Sequence, residues 1–295
     1  MIPIVFVHIG SVIPDYACIA IQQARRWNPD APIIFLASTV PERGYGSDEE
    51  WVPIADIPLT PEHKRFQETT LLDMTFRNGF WRYTTERLFV LEDWMRWKGV
   101  GECLHMEYDN MLYRNVEELA PIMRATGKGL SATFNGPAEL NGGIHVAFSF
   151  VYCNNVEKLT QFLFFLAATR SRIDEMRRAG EYWLENIDDY PLLPTIPPGT
   201  HLISELYRSW YENPAFPCVF DAAAHGQFMG GDDPRNGGPR GPYVNMHVDY
   251  RTDRLKYIWK VDAVCRRFPV IVDNDGKEWP IVNLHIHCKR LEDFT

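Results

Sequence analysis

The sequence predicts an α/β protein, an open mixed sheet with flanking helices, and three observations near its start carry that expectation. "IPIVFVH" (Ile2 to His8) is a β-branched apolar run with a glycine two positions beyond it, the pattern of a strand buried on both faces. Tyr16 to Trp27 follows with helical periodicity. "APIIFLAS" (Ala31 to Ser38) is a second buried run, which completes a βαβ unit after the Asn28-Pro29 break.

The remaining elements follow in order. Beyond a Pro- and Gly-punctuated region (Pro41 to Pro61), "TTERLFVLEDWMRW" sets Leu88, Val90, Leu91, Trp94 and Met95 on one helical face. "ECLHMEYD" reads as a strand and "NVEELAPIM" as a short helix with Asn115 as its N-cap. "GLSATF" and "IHVAFSFVYC" read as strands separated by the Asn141 to Gly143 turn. Val156 to Tyr182 reads as one long helical stretch, Pro191 to Pro198 as loop, and Ile203 to Tyr211 as a helix leading into the glycine-rich Phe220 to Tyr243. "EWPIVNLHIHCK" (Glu278 to Lys289) reads as one strand with alternate histidines, and no internal repeat is present.

Composition narrows the partners. A chain of 295 residues, 45% hydrophobic, can bury a core as one large domain or two closely packed ones. Net charge is -9, and the basic residues are scattered (Arg25-Arg26, Arg177-Arg178, Arg266-Arg267), so no nucleic-acid partner is expected. A phosphorylated ligand would then need a metal ion or helix N-termini to neutralise it. Six cysteines stand far apart with no CxxC pair, which fits free thiols in a reducing compartment. The opening apolar run is too short for a signal segment, and "FLFFLAA" falls short of the ~20 residues of a membrane span. The expectation is a cytoplasmic protein with no transmembrane segment.

The chemistry concentrates at two places. Ligands of open α/β sheets sit beyond the C-terminal ends of strands, and Glu107 and Asp109 lie at such an end. Carboxylates at i and i+2 share a face on a strand, whereas on a loop just past it they fan around one ion. Oxygen donors of this kind suit Mg2+ or Mn2+, which bridge diphosphate oxygens; a solvated turn is the plainer reading. His285 and His287 share one face of the expected C-terminal strand, and imidazole takes Mn or Zn more readily than Mg.

With these residues in view, the chain resembles the GT-A glycosyltransferases. The shared layout is an N-terminal nucleotide-binding βαβ half, a helix with an arginine, an acidic DxD-type motif ending a strand, an acceptor-side half, and a late histidine near the metal. The resemblance implies one GT-A-like domain, with residues 1–125 binding the nucleotide-sugar and 126–295 the acceptor. It assigns Mn2+ or Mg2+ to Glu107, Asp109, His285 and His287, with Glu107 standing where Asp is usual. It places the donor, a UDP- or GDP-sugar, against His8, Gly10, Arg82, Arg87, Tyr108 and Asn110. "MGGDDP" is similar to the GGxDD element of inverting β1,4-galactosyltransferases, less one residue, in which a carboxylate acts as general base. That points to Asp232, then Asp233 and Asp221, with Gly230 and Gly231 beside the acceptor; a Gly/Asp/Pro turn accounts for the same residues. Trp210 and Tyr211 are the aromatic candidates for the acceptor, a glycan or other hydroxyl compound. Two rivals stand beside this reading. Two histidines with a carboxylate match a non-haem iron 2-oxo-acid oxygenase, and a domain that binds a nucleotide or glycan without turnover has the same recognition residues.

Overall fold

A computed structural model describes residues 1–41, 44–46, 48–126, 129–237 and 241–295. Gly238 to Arg240 of the glycine-rich stretch, and Glu42, Arg43 and Ser47 of the punctuated region, lie outside the described residues.

Apolar runs become the sheet. β1 (Ile4–His8), β2 (Ile33–Ala37), β3 (Glu50–Pro53), β4 (Cys103–Met106), β5 (Asn110–Leu112), β6 (Leu130–Gly136) and β7 (His145–Cys153) are the strands of the first half of the chain. Among the described residues, six of them form one sheet in the order β3-β2-β1-β4-β7-β6. β1 pairs in parallel with both β2 and β4, while β4 and β6 run antiparallel to β7. The expected open mixed sheet is therefore present. Chain order runs outward from β1 to β3 and then returns to β4 on the other side of β1, which makes the β1–β4 boundary a topological switch point.

Helices cover both faces. In α1 (Tyr16–Trp27), Ala17, Ala20, Ile21, Ala24 and Trp27 recur at helical spacing and are buried, with the helix packed on β5 and β2. α2 (Pro61–Thr69) starts at Thr60, whose Oγ1 accepts from His63 N, with Pro61 at the first helical position. α3 (Phe80–Lys98) buries Leu88 to Met95 almost continuously, because α2, β1 and a later helix pack on it. α4 (Val116–Thr126) begins where Asn115 Oδ1 accepts from Glu117 N at 2.9 Å. α5 (Ala138–Asn141) is one turn, and the Asn-Gly-Gly turn is its end, with Gly142 left-handed.

The long helix expected over Val156 to Tyr182 is two helices, α6 (Val156–Ala168) and α7 (Glu175–Asn186). Asn155 caps the first, and Asp174 Oδ1 accepts from Arg177 N at 3.1 Å to cap the second, so Ser171 to Asp174 is a stop and restart. The helix expected over Ile203 to Tyr211 is reduced to a 3-10 turn and α8 (Arg208–Tyr211), followed by α9 (His225–Gly230). β8 (Lys256–Val261), β9 (Arg267–Val272) and β10 (Glu278–Pro280) form an antiparallel sheet of their own. The expected strand over Glu278 to Lys289 is broken as well. β10 pairs with β9, and β11 (Asn283–His285) switches partner to β5, leaving His287 beyond the strand in a turn. No helix of the described residues is long and apolar enough to cross a membrane.

Candidate active site

β4 ends at Met106, and Glu107 N donates to Ser149 O on β7 at 2.9 Å before the chain turns through Tyr108 and Asp109. β5 then pairs with β11, with Asn110 opposite His285. This register carries a residue from the far end of the sequence to the switch point. α9 closes in from behind: a Cβ on Gly226 would lie 2.1 Å from His285 O, so only glycine lets that helix approach the strand.

Glu107, Asp109 and His285 bring one donor atom each to within 4.8 Å of one another. His285 Nε2 lies 3.3 Å from Glu107 Oε2 and 3.2 Å from Asp109 Oδ1. Two donors about 2.1 Å from an ion and at right angles stand about 3 Å apart, so these separations fit neighbouring ligands of one divalent cation. Asp109 Oδ1 and His285 Nδ1 are buried and make no aligned hydrogen bond. Two carboxylates and an imidazole suit Mn2+ or Mg2+, with the nitrogen favouring Mn2+. The other carboxylate oxygens are held by cations: Arg87 Nη1 pairs with Glu107 Oε1, and Lys289 Nζ with Asp109 Oδ2. Burial alone would raise the Asp109 carboxyl, but Lys289 and His285 outweigh it and keep it well below the usual carboxylate range.

His287 stands outside that cluster. Its ring centre is 4.4 Å from that of His285, its Nδ1 is 2.6 Å from Gln227 Nε2, and Asp232 Oδ1 lies 3.7 Å away. Beyond the end of β11 the alternation that would align it with His285 no longer applies.

The cluster forms one end of a cavity of about 590 Å³, which Arg87, Ser149, Gln227 and Lys289 also line. Buried polar atoms of an ordinary interior are paired. Here Arg87 Nε, Asp109 Oδ1, Ser149 Oγ, Gln227 Oε1 and His285 Nδ1 all lack a hydrogen-bond partner among the described residues. All five belong to residues of this cavity wall.

Several expected site residues are elsewhere. Asn110 is fully buried, donates to Ser149 O and accepts from Asn283 Nδ2, so it ties β5 to β7 and β11 rather than facing a donor. Arg82 turns to Glu86, 3.7 Å away, and does not line the cavity. His8, Gly10 and Tyr108 form a neighbouring group at the end of β1. His8 Nδ1 meets Tyr108 OH at 3.0 Å, and the Tyr108 ring packs with Tyr16 and Phe35. Tyr211 is fully buried with its hydroxyl accepting from Asp249 N, and Trp210 packs on Phe134; both belong to the core under β6, not to an acceptor site. Gly230 packs against Phe294, whose ring a Cβ would meet at 2.7 Å, and Gly231 takes φ 98° at the end of α9; neither reaches the cavity.

The expected bases are engaged. Asp221 is fully buried and accepts from the amides of Ala224, His225, Gly226 and His285, so it is a structural clamp and not a base. Asp232 is pulled down to about 2, by His287 first, and accepts from Asn236 Nδ2 at 3.1 Å. Asp233 faces the cavity but its carboxylate holds Arg235, at 2.7 Å, and Arg77, at 3.5 Å.

Sequence reasoning missed Glu175. It opens α7, lines the cavity and is 2% exposed. Its Oε2 accepts from Thr84 Oγ1 at 3.0 Å and Thr85 Oγ1 at 3.2 Å, and its Oε1 stands 3.8 Å from Arg87 Nη2. Burial, with Asp174 adding to it, pushes its carboxyl up to about 7 against the pull of Arg87. The signal in the sequence was Asp174 as a helix cap, which puts the next residue at a helix start. Lys289 and Arg77 were missed because nothing local directs them inward.

The fold and site define a mixed α/β protein with a cluster of two carboxylates and a histidine at its switch point that could hold a metal ion, next to a cavity lined by buried polar atoms without partners among the described residues. The oxygenase reading loses its basis, since the donor set has one histidine and the sheet is an open α/β sheet. Neither a family model nor a curated protein matches the chain. Among solved structures, it is similar to mouse xyloside xylosyltransferase 1 in its apo form, at TM-score 0.48 and 10% identity over 72% of this chain and 93% of that one. It is also similar to the galactosyltransferase LgtC in complex with donor and acceptor sugar analogs (TM-score 0.40, 15% identity, 73% and 89% covered). A third is the glycosyltransferase GlyE of Streptococcus pneumoniae TIGR4 (TM-score 0.40, 13% identity, 65% and 46% covered). The likeness concerns the course of the chain, and the chemistry rests on the side chains described above.

Proposed function

We propose that this protein is a metal-dependent glycosyltransferase that moves a sugar from a UDP- or GDP-sugar to a hydroxyl of a glycan or other acceptor. The observation that carries this reading is the charge pattern at the switch point. Arg87 and Lys289 already balance Glu107 and Asp109. A divalent cation held by Glu107, Asp109 and His285 therefore leaves an excess of about two positive charges, or about one when Glu175 beside Arg87 is ionised, and a diphosphate is the ligand that offsets it. A bound cation would supply Lewis-acid charge to the departing diphosphate. Arg87 and Lys289 flank the same position and add their own charge there.

Residues 1–125 form the donor half and 126–295 the acceptor half, with the cation held between them. His8, which ends β1, and Tyr108, which follows β4, are our candidates for contact with the nucleotide base, and His8 Nε2 has no partner among the described residues. Glu175, rather than the Asp232–Asp233 pair, is the carboxylate suited to exchange a proton near neutrality. In the transfer the acceptor oxygen bonds the anomeric carbon and gives its proton to Glu175. The bond from that carbon to the diphosphate breaks, and its electron pair leaves on the phosphate oxygen.

A thermal-shift screen of UDP-, GDP- and dTDP-sugars, with Mn2+ and with chelator, tests the donor site. One nucleotide class should stabilise the protein only with the metal. Asp109→Asn should lower turnover roughly 100-fold or more with the fold retained, because it removes a ligand charge and not a core contact. Full activity in Asp109→Asn, or no metal-dependent shift with any nucleotide-sugar, refutes the proposal.

A further inference from the structure

The cavity is divided by chemistry. Glu107, Asp109, Arg87 and Lys289 gather at one end, whereas the wall formed by the start of α3 and the loop before it carries the rings of Phe76, Phe80 and Trp81 beside Arg77. Phe76 and Trp81 stack at 6.0 Å with 12° between their planes, and Phe80 meets Trp81 edge-on at 4.9 Å. Phe76 is 45% exposed and Leu140, which also lines the cavity, is 37% exposed.

That exposure is held in place by the backbone. Arg77 and Asn78 follow Phe76 with φ of 48° and 57°, left-handed conformations that residues other than glycine adopt at a cost. Arg77 then lies over the Phe76 ring and reaches Asn236 at 2.6 Å. A large ring kept half in water by strained backbone and an anchored neighbour is a surface for a ligand rather than a packing remnant. A free sugar could lay its C–H face on one ring and would leave Leu140 in water. A planar apolar group attached to the sugar offers the exposed ring of Phe76 a larger contact than the sugar alone.

We infer that the acceptor is a glycoside carrying an aromatic aglycone, which packs against the exposed part of Phe76 while its sugar hydroxyls turn toward the transfer site. This inference rests on the glycosyl-transfer reading. It commits to an aryl group, since the wall presents flat rings and the nearest cation, Arg77, is taken by Asn236 and Asp233.

The test uses the intact protein with Mn2+ and the nucleotide-sugar chosen by the thermal-shift screen. Release of nucleoside diphosphate is followed while p-nitrophenyl glycosides and the matching methyl glycosides are titrated in. The half-maximal concentration of the aryl compound should be about tenfold lower than that of its methyl partner. In Phe76→Ala that ratio should fall toward one; the ring is half exposed, so its removal leaves the core intact. Equal half-maximal concentrations in the natural protein, or an unchanged ratio in Phe76→Ala, overturns the inference while sugar transfer stands. No metal-dependent diphosphate release from any nucleotide-sugar refutes sugar transfer and the inference with it.

Discussion

Replacing His63 by glutamine should change how the stability of this protein depends on pH. His63, on α2, is 1% exposed, and its two ring nitrogens meet carboxylates of α3: Nδ1 lies 2.5 Å from Asp93 Oδ2 and Nε2 3.2 Å from Glu86 Oε1. Burial opposes charging the ring, but Asp93 and Glu86 outweigh it and lift the imidazolium to about 9. The folded state thus binds this proton more tightly than the unfolded chain, whose value is 6.5. The contribution is full below pH 6.5 and fades as pH rises through 9. Its size is about 3 kcal/mol, from 1.36 kcal/mol for each pH unit between the two values. Urea unfolding of the natural protein and His63→Gln at intervals from pH 6 to 10 measures it, because titrations common to both cancel in the difference. The stability gap should shrink by about 3 kcal/mol across that window. A gap that stays constant would show that folding does not raise the His63 imidazolium above its unfolded value and would refute the reasoning. The pair matters to function because α3 carries Trp81, Thr84 and Arg87 into the cavity.

Two further outcomes follow from groups already described. Asp221→Asn removes a carboxylate that accepts from four backbone amides, so it should cost roughly 2–4 kcal/mol in chemical denaturation, and an unchanged midpoint would show the clamp to be dispensable. Glu175→Gln should abolish the limb of the kcat profile that rises through about pH 7 in the natural protein, and a limb that persists would assign that proton to another group.

Five strands of the sheet were legible in the sequence because each is an apolar run with its own punctuation, whereas β3, mostly not buried, was hidden inside the Pro- and Gly-punctuated region. The central three donors were legible too: Glu107 and Asp109 end a strand, and His285 sits on one. What failed was register over distance. Asn110 looked like part of the acidic motif, but its amide is consumed by Ser149 and Asn283, partners 39 and 173 residues away. His287 shares the alternation of His285 in the sequence and loses it where β11 ends. Trp210 and Tyr211 illustrate the same limit, since an aromatic pair reads identically whether it faces a cavity or the underside of β6. Glu175 was hidden by treating Ser171 to Asp174 as helix, although Asp174 is the residue type that starts one.

The pairing of β5 with β11 also has a consequence for synthesis. Glu107 and Asp109 are made early, yet the imidazole that completes their cluster stands on a strand that starts at Asn283. A growing chain can fold its parallel strands long before this segment leaves the ribosome, and during that interval Asp109 lacks both His285 and Lys289, its neighbours from the later segment. The three-residue cluster is therefore completed only when the segment that starts at Asn283 has docked on β5.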